Sequence, residues 1–135
     1  MLLNRKYYDE TITDGKNYYQ VIRVYNENKN LAMIQVLNSQ NRISKVLFYD
    51  ENTRLSNKSI YNPETGKEIK NITYKKDGKS ISSIREYDSK TGRLLNVSFY
   101  KPDCDKISSV IEYDEFGQSR FTLYADDGEI ITQEL

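Results

Sequence analysis

A tyrosine stands at positions 61, 74, 87, 100 and 113, each 13 residues after the last. Between them a short polar turn alternates with a run carrying isoleucine, leucine or valine. The turn after Tyr61, N-P-E-T-G-K, returns after Tyr87 as D-S-K-T-G-R and, worn down, after Tyr113 as D-E-F-G-Q. The turn after Tyr74, K-K-D-G-K, returns after Tyr100 as K-P-D-C-D-K and after Tyr124 as A-D-D-G-E. The repeat is therefore about 26 residues long, in two similar halves.

The same rhythm runs back through the first half of the chain. Extended runs end near positions 12, 25, 37, 49 and 61, at spacings of 12 or 13. Residues 1–135 thus read as a single repeat-built domain. A first strand is expected around Leu3–Tyr8, followed by a T-D-G-K turn at 13–16. Asp-Gly between extended runs is a strong hairpin signal, because glycine accepts the positive φ of a tight turn. Asn17–Tyr25 is dense in β-formers. Leu31–Leu37 (LAMIQVL) is the most apolar run, and its length and flanking asparagines favour a strand over a helical turn. Ile43–Tyr49 and Leu55–Tyr61 follow.

The fold class expected is all-β. About eleven short strands from 12–13-residue units should pair as an antiparallel up-and-down meander, since the connections are too short for parallel crossovers. Alternation places apolar residues on both faces, most heavily between residues 18 and 49. That predicts a strongly twisted sheet that curls into an open barrel or sandwich in the N-terminal half. The C-terminal half, richer in Ser, Lys and Glu, should be a single layer. In a meander the strand-ending tyrosines fall on two rims, with Tyr61, Tyr87 and Tyr113 on one and Tyr74, Tyr100 and Tyr124 on the other. Each should pair with the first apolar residue of the next strand, as Tyr74 with Ile81. Hairpin stapling explains these tyrosines, and ligand stacking is the competing reading.

Charge narrows the partners. The chain is formally neutral, with 20 basic and 20 acidic residues, which argues against direct binding of nucleic acid. The balance is uneven: residues 112–135 carry only Arg120 against Glu112, Asp114, Glu115, Asp126, Asp127, Glu129 and Glu134. Such an acidic end serves solubility or docks a basic partner. The single cysteine, Cys104, permits no internal disulfide. The N-terminal MLLNRKYYDE has no apolar core of signal-peptide length, and no run spans a membrane. A cytoplasmic protein without membrane contact is the expectation.

The chain contains no histidine, which removes the commonest general base and metal ligand. One cysteine builds no zinc site, and no phosphate-binding glycine loop is present. The acidic pairs Asp126–Asp127 and Asp103/Asp105 sit in turns, where Asp is expected for its local backbone hydrogen bonds. Cys104 takes the place that Gly78 holds in the matching turn. No catalytic residue, cofactor or metal is therefore expected.

Tyr61–Lys67, Tyr74–Lys79, Ile81–Asp88 and Tyr100–Asp114 carry a pattern of Y-[ND]-P-x-T-G-K, an isoleucine strand, Y-x-P-D-G-K and I-x-x-I-x-E-Y-D. It resembles tandem tyrosine/Asp-Gly repeats of unknown function from phytoplasmas, mollicutes and low-GC bacteria. The chain departs from that pattern at Lys76 and at Cys104–Asp105. Tyr49–Asp50 and Tyr87–Leu94 are more loosely similar to YD repeats and to YwqK/MORN-like antitoxin repeats. Choline- and glucan-binding repeats share the tyrosine-rich hairpins but rely on tryptophan, which this chain lacks.

The expected function is a non-enzymatic protein-binding module. An inhibitor fits, such as an immunity or antitoxin protein or a phage-encoded anti-defence protein (for example anti-CRISPR), with a nuclease or toxin as partner. The candidate partner-binding residues are Glu112, Asp114, Glu115, Asp126, Asp127, Glu129, Tyr87, Tyr113 and Tyr124. A carbohydrate or cell-surface binding repeat module is the alternative.

Overall fold

Runs of β-branched and aromatic residues, each stopped by an Asn, Asp or Gly turn, fold into strands. The computed structural model describes residues 8–14 and 17–134, with side-chain surroundings for residues 20–131. Its strands are β1 (Tyr8–Asp14), β2 (Asn17–Tyr25), β3 (Leu31–Leu37), β4 (Ile43–Tyr49), β5 (Leu55–Tyr61) and β6 (Glu68–Tyr74). They continue as β7 (Ile81–Tyr87), β8 (Leu94–Tyr100), β9 (Ile107–Tyr113), β10 (Ser119–Tyr124) and β11 (Ile130–Glu134). β1 lies later than the strand expected at Leu3–Tyr8, of which only Tyr8 is among the described residues. Gly15 and Lys16 of the first turn also lie outside them.

All eleven strands form one sheet in chain order, every neighbour antiparallel. The sheet is open: its first and last strands do not pair, so no barrel closes. Strand contacts join only chain neighbours. The sandwich expected in the N-terminal half does not form. In β3, the most apolar strand, all seven residues stay only half-buried, which a second layer would not allow. The exposed area is 9311 Å², against about 7,400 Å² for a compact chain of 15.9 kDa. A sheet one layer thick accounts for the excess. Among the described residues no large side chain is fully buried.

Register assigns the faces. The first face carries the row Val24–Met33–Phe48–Asn57–Thr73–Ser83–Phe99–Ser109–Leu123 and the row Ile22–Gln35–Val46–Ser59–Asn71–Arg85–Val97–Ile111–Phe121. The second face carries Val36–Lys45–Ile60–Lys70–Glu86 and Ile34–Leu47–Lys58–Ile72–Ile84. The core consists of small or branched residues shielded by larger cross-strand neighbours. Ser83 and Ser109 are buried because both stand opposite Phe99. Val46 is buried between Gln35 and Ser59, and Val97 between Arg85 and Ile111. On the second face Ile72 is buried between Lys58 and Ile84, the lysine contributing its apolar stem.

The strand-ending residue pairs as its chemistry predicts. Tyr25 meets Leu31, Tyr49 meets Leu55, Tyr74 meets Ile81, Tyr87 meets Leu94, Tyr100 meets Ile107 and Tyr124 meets Ile130. Tyr61 opposes Glu68 and Tyr113 opposes Ser119 instead. A register shift immediately precedes the closing residue in every hairpin from β2–β3 to β8–β9 and again in β10–β11. The β9–β10 pairing runs through without one.

Turn chemistry explains the wealth of Asn and Asp. In turns 26–30, 38–42, 50–54 and 114–118 the first side chain accepts backbone N–H groups two and four residues on. Asp77 does more: it accepts from Lys79 N, Ser80 N and the Ser80 hydroxyl, at 2.6–2.9 Å. These bonds, the Ser80 hydroxyl foremost, hold its carboxyl at about 2. Near the end of most turns one residue adopts positive φ, glycine in the C-terminal half but Lys29, Asn41 and Thr53 earlier. Cys104 does not share the conformation of Gly78 (φ 73), and turn 101–106 lacks the bond that runs from Gly78 N to Lys75 O.

A Cβ on Gly78 would lie 3.1 Å from Arg54 Cβ and 3.2 Å from Leu55 N, whereas one on Gly66 would meet nothing within 4 Å. Gly66→Ala should therefore cost about 1 kcal/mol through backbone strain alone, and Gly78→Ala about 2 or more. Thr53→Gly, which relieves a β-branched residue at φ 60, should stabilise by about 0.5–1 kcal/mol. Urea midpoints check all three. The Asp77 carboxyl titrates lower in the fold than its ordinary 3.8, so its contribution is complete above that pH and fades as pH falls toward about 2. Asp77→Asn should lose less stability than the parent between pH 4 and 2 in acid denaturation curves.

Candidate functional site

Because successive strands run opposite ways, the turns divide between two rims. Turns 38–42, 62–67, 88–93 and 114–118 form the first rim, and 26–30, 50–54, 75–80, 101–106 and 125–129 the second. Same-rim turns are tied together by side chains reaching across the intervening hairpin. On the first rim Arg42 Nη1 donates to Pro63 O at 3.4 Å, Thr65 Oγ1 to Ser89 O at 3.1 Å, and Arg93 Nη1 to Asp114 O. On the second, Arg54 Nη1 donates to Lys76 O at 3.3 Å and Lys75 Nζ to Lys101 O at 2.6 Å. Lys101 Nζ then reaches the Asp126 carboxylate at 2.6 Å.

This geometry splits the acidic C-terminal set. Glu112, Asp114 and Glu115 lie at the first rim, Asp126, Asp127 and Glu129 at the second. The strand between them, Ser119–Tyr124, separates the two groups by roughly 20 Å. Tyr87 and Tyr113 belong to the first rim and Tyr124 to the second. Burial pushes the Tyr87 phenol up, and the Glu68 carboxylate adds to the effect.

Several of these acids serve the fold. Asp114 caps its turn through Phe116 N and Gln118 N, both at 2.9 Å. Asp127 accepts from Glu129 N at 2.9 Å. Asp126 takes the Lys101 bond and Lys106 Nζ donates to its backbone oxygen at 3.0 Å; the Lys101 hydrogen bond and charge hold its carboxyl below the usual range. Glu112 stands opposite Arg120 and Asn96. Glu115 and Glu129 are exposed at the tips. A shallow groove of ≈ 270 Å³ runs between Glu112, Tyr113, Asp114, Gln118, Ser119 and Arg120, so it gathers three of the candidates. A larger one, ≈ 500 Å³, lies on the second rim between Tyr49, Asp50, Arg54 and Lys76, away from the acidic end.

Phe116 is the residue that sequence reasoning passed over. It stands at the tip of turn 114–118 with 81% of its surface exposed. The signal was available: Asn28, Gln40 and Asn52 hold the same position in the sister turns. A large apolar ring where the repeat uses amides is a departure with no benefit to the turn. Among the described residues no group of three or more acids or Cys gathers as metal ligands, and no helix is long and apolar enough to cross a membrane.

A family model described as "Protein of unknown function (DUF2963)" matches residues 48–98 and again residues 74–122. The second match begins 26 residues after the first, one full repeat along. No curated protein matches the chain. Among solved structures it is similar to "Crystal structure of GtfA/B complex bound to UDP and GlcNAc", at 14% identity and a TM-score of 0.36. That likeness covers 94% of this chain and 24% of the other, so the chain spans about a quarter of its length.

The tie between the last two second-rim turns is testable. The Lys101 side chain is only 16% exposed, while the Asp126 carboxylate is 98% exposed. Lys101→Met keeps the buried stem and removes the ammonium. Amides of β10 and β11 should then exchange several-fold faster, with β5–β7 unchanged, as read by hydrogen–deuterium exchange.

Proposed function

The chain belongs to the DUF2963 family, and on that footing we propose that it is a non-enzymatic module that binds one protein partner. Phe116 carries this reading. An aromatic ring held out on a hydrogen-bonded hairpin tip, with Asp114 and Glu115 beside it and Tyr113 below, has the make-up of an interface anchor with an acidic border. The partner would present an apolar pocket rimmed by basic residues. Within this class we place the protein as an inhibitor, either an immunity or antitoxin protein or a phage-encoded anti-defence protein acting on a nuclease or toxin. The neutral charge of the whole chain and the concentration of acids near its end support a protein target over nucleic acid.

The test uses the full chain as bait in its native host, with bound proteins identified by mass spectrometry. One stoichiometric partner is expected. Phe116→Ala should weaken its binding roughly 30-fold or more, about 2 kcal/mol, and leave thermal stability within about 0.5 kcal/mol of the parent. Glu115→Lys should slow association, most visibly at low salt. Equal capture by Phe116→Ala, or hits on a glycan array in place of a protein, would sink the proposal.

A further inference from the structure

The second face carries a feature unrelated to the acidic end. Lys45 on β4 and Lys70 on β6 both stand directly opposite Ile60 of β5. They therefore flank one isoleucine from either side, roughly 10 Å apart. Lys58 lies two residues from Ile60 on the same face of β5, diagonal to both at roughly 7–8 Å. Three flexible four-carbon stems rise from this triangle on one face, each long enough to reach an anion seated between them. Across the strands they stand opposite Ile60, Leu47 and Ile72, and each lysine is half-buried.

The cluster is uncompensated. Among the described residues none of the three forms an ion pair or donates a hydrogen bond. Glu86 faces Lys70 across β6–β7 but makes no ion pair with it. Burial lowers the Lys58 pKa first, and the charges of Lys45 and Lys70 lower it further. A sheet one layer thick has room to spread its charges, yet three lysines stand here as neighbours on adjacent strands.

We propose that Lys45, Lys58 and Lys70 form a binding site for a compact phosphate-class anion carrying two or more charges, seated over Ile60. Three separate point-charge donors suit the tetrahedral, multi-oxygen surface of phosphate; a planar carboxylate is better matched by the guanidinium fork, which this site lacks. An anion there neutralises the mutual repulsion, so the cost of assembling the cluster is recovered on binding. Glu86, the acid on the Lys70 side, weakens the site and limits its range.

Isothermal titration of the full chain with sodium pyrophosphate at low ionic strength tests this. Saturable binding is expected, weakening as salt is raised. Lys58→Gln should weaken it at least tenfold, and Lys58→Gln with Lys70→Gln should abolish it. Glu86→Gln should tighten it a few-fold, and Lys29→Gln, on the second rim, should leave it unchanged. Circular dichroism confirms that each variant is folded. Lys58→Gln should also raise the thermal midpoint, because the lowered pKa means that the charged form opposes folding at neutral pH. Absence of binding overturns the proposal. So does equal weakening by Lys29→Gln and Lys58→Gln, which marks diffuse charge. Citrate bound as tightly as pyrophosphate overturns the phosphate assignment.

Discussion

In a sheet one layer thick, the only apolar contact open to a side chain is with its neighbours across the strand and along its own face. Among the described residues no second layer covers it, so cross-strand pairs carry the stability. Each contributes roughly 0.2–1 kcal/mol, and the sum grows with the number of strands. This explains why the buried positions are Val, Ile, Ser and Thr. A small residue can be covered by a large neighbour, as Ser83 and Ser109 are by Phe99; a large one would need cover from outside the sheet. It also explains the tyrosines. A tyrosine at the end of a half-open strand stands opposite Leu31, Leu55 or Ile81, so its ring has an apolar partner within the sheet.

Pairs this weak hold only if register is fixed, and the turns fix it. A one-residue slip would move every side chain to the opposite face. An Asn or Asp oxygen that accepts N–H groups two and four residues on admits one turn length, and a left-handed residue near the end admits one closure. Same-rim bridges such as Lys75 to Lys101 O then lock alternate hairpins together, one repeat apart. The structure is thus local along the chain twice over: at one strand's distance through pairs, and at two through rim contacts. Such an array needs no long-range closure.

That locality decides what could be read from the sequence. Strand ends at Tyr25, Leu37, Tyr49 and Tyr61, the two-rim split and the Tyr74–Ile81 pair follow from rules that act within about 13 residues, so they were legible. The layer count was not. Apolar residues on both faces of β3 look alike whether a second sheet covers them or half-burial suffices, and half-burial is what occurs. The candidate site was legible only in part. The acids were visible as composition, but their division between two rims needs the direction of β10. The lysine triad needed register across three strands, including the shifts before Tyr49 and Tyr61 that a linear reading does not place.

A repeated architecture makes departures informative. Where every turn solves the same problem, a residue that abandons the common solution has been released from it or recruited to something else. Asp114 and Asp127 follow the rule, and their carboxylates are spent on backbone N–H groups. Phe116 breaks it by replacing an amide with an exposed ring. Cys104 breaks it by leaving the backbone conformation of its sister Gly78, at the cost of a turn bond. Lys58 breaks the pairing rule on a face, standing among like charges where Ile34, Leu47, Ile72 and Ile84 complete an apolar row. Two departures have charged neighbours gathered around them, acids around Phe116 and lysines around Lys58, and the two proposed binding surfaces rest on these.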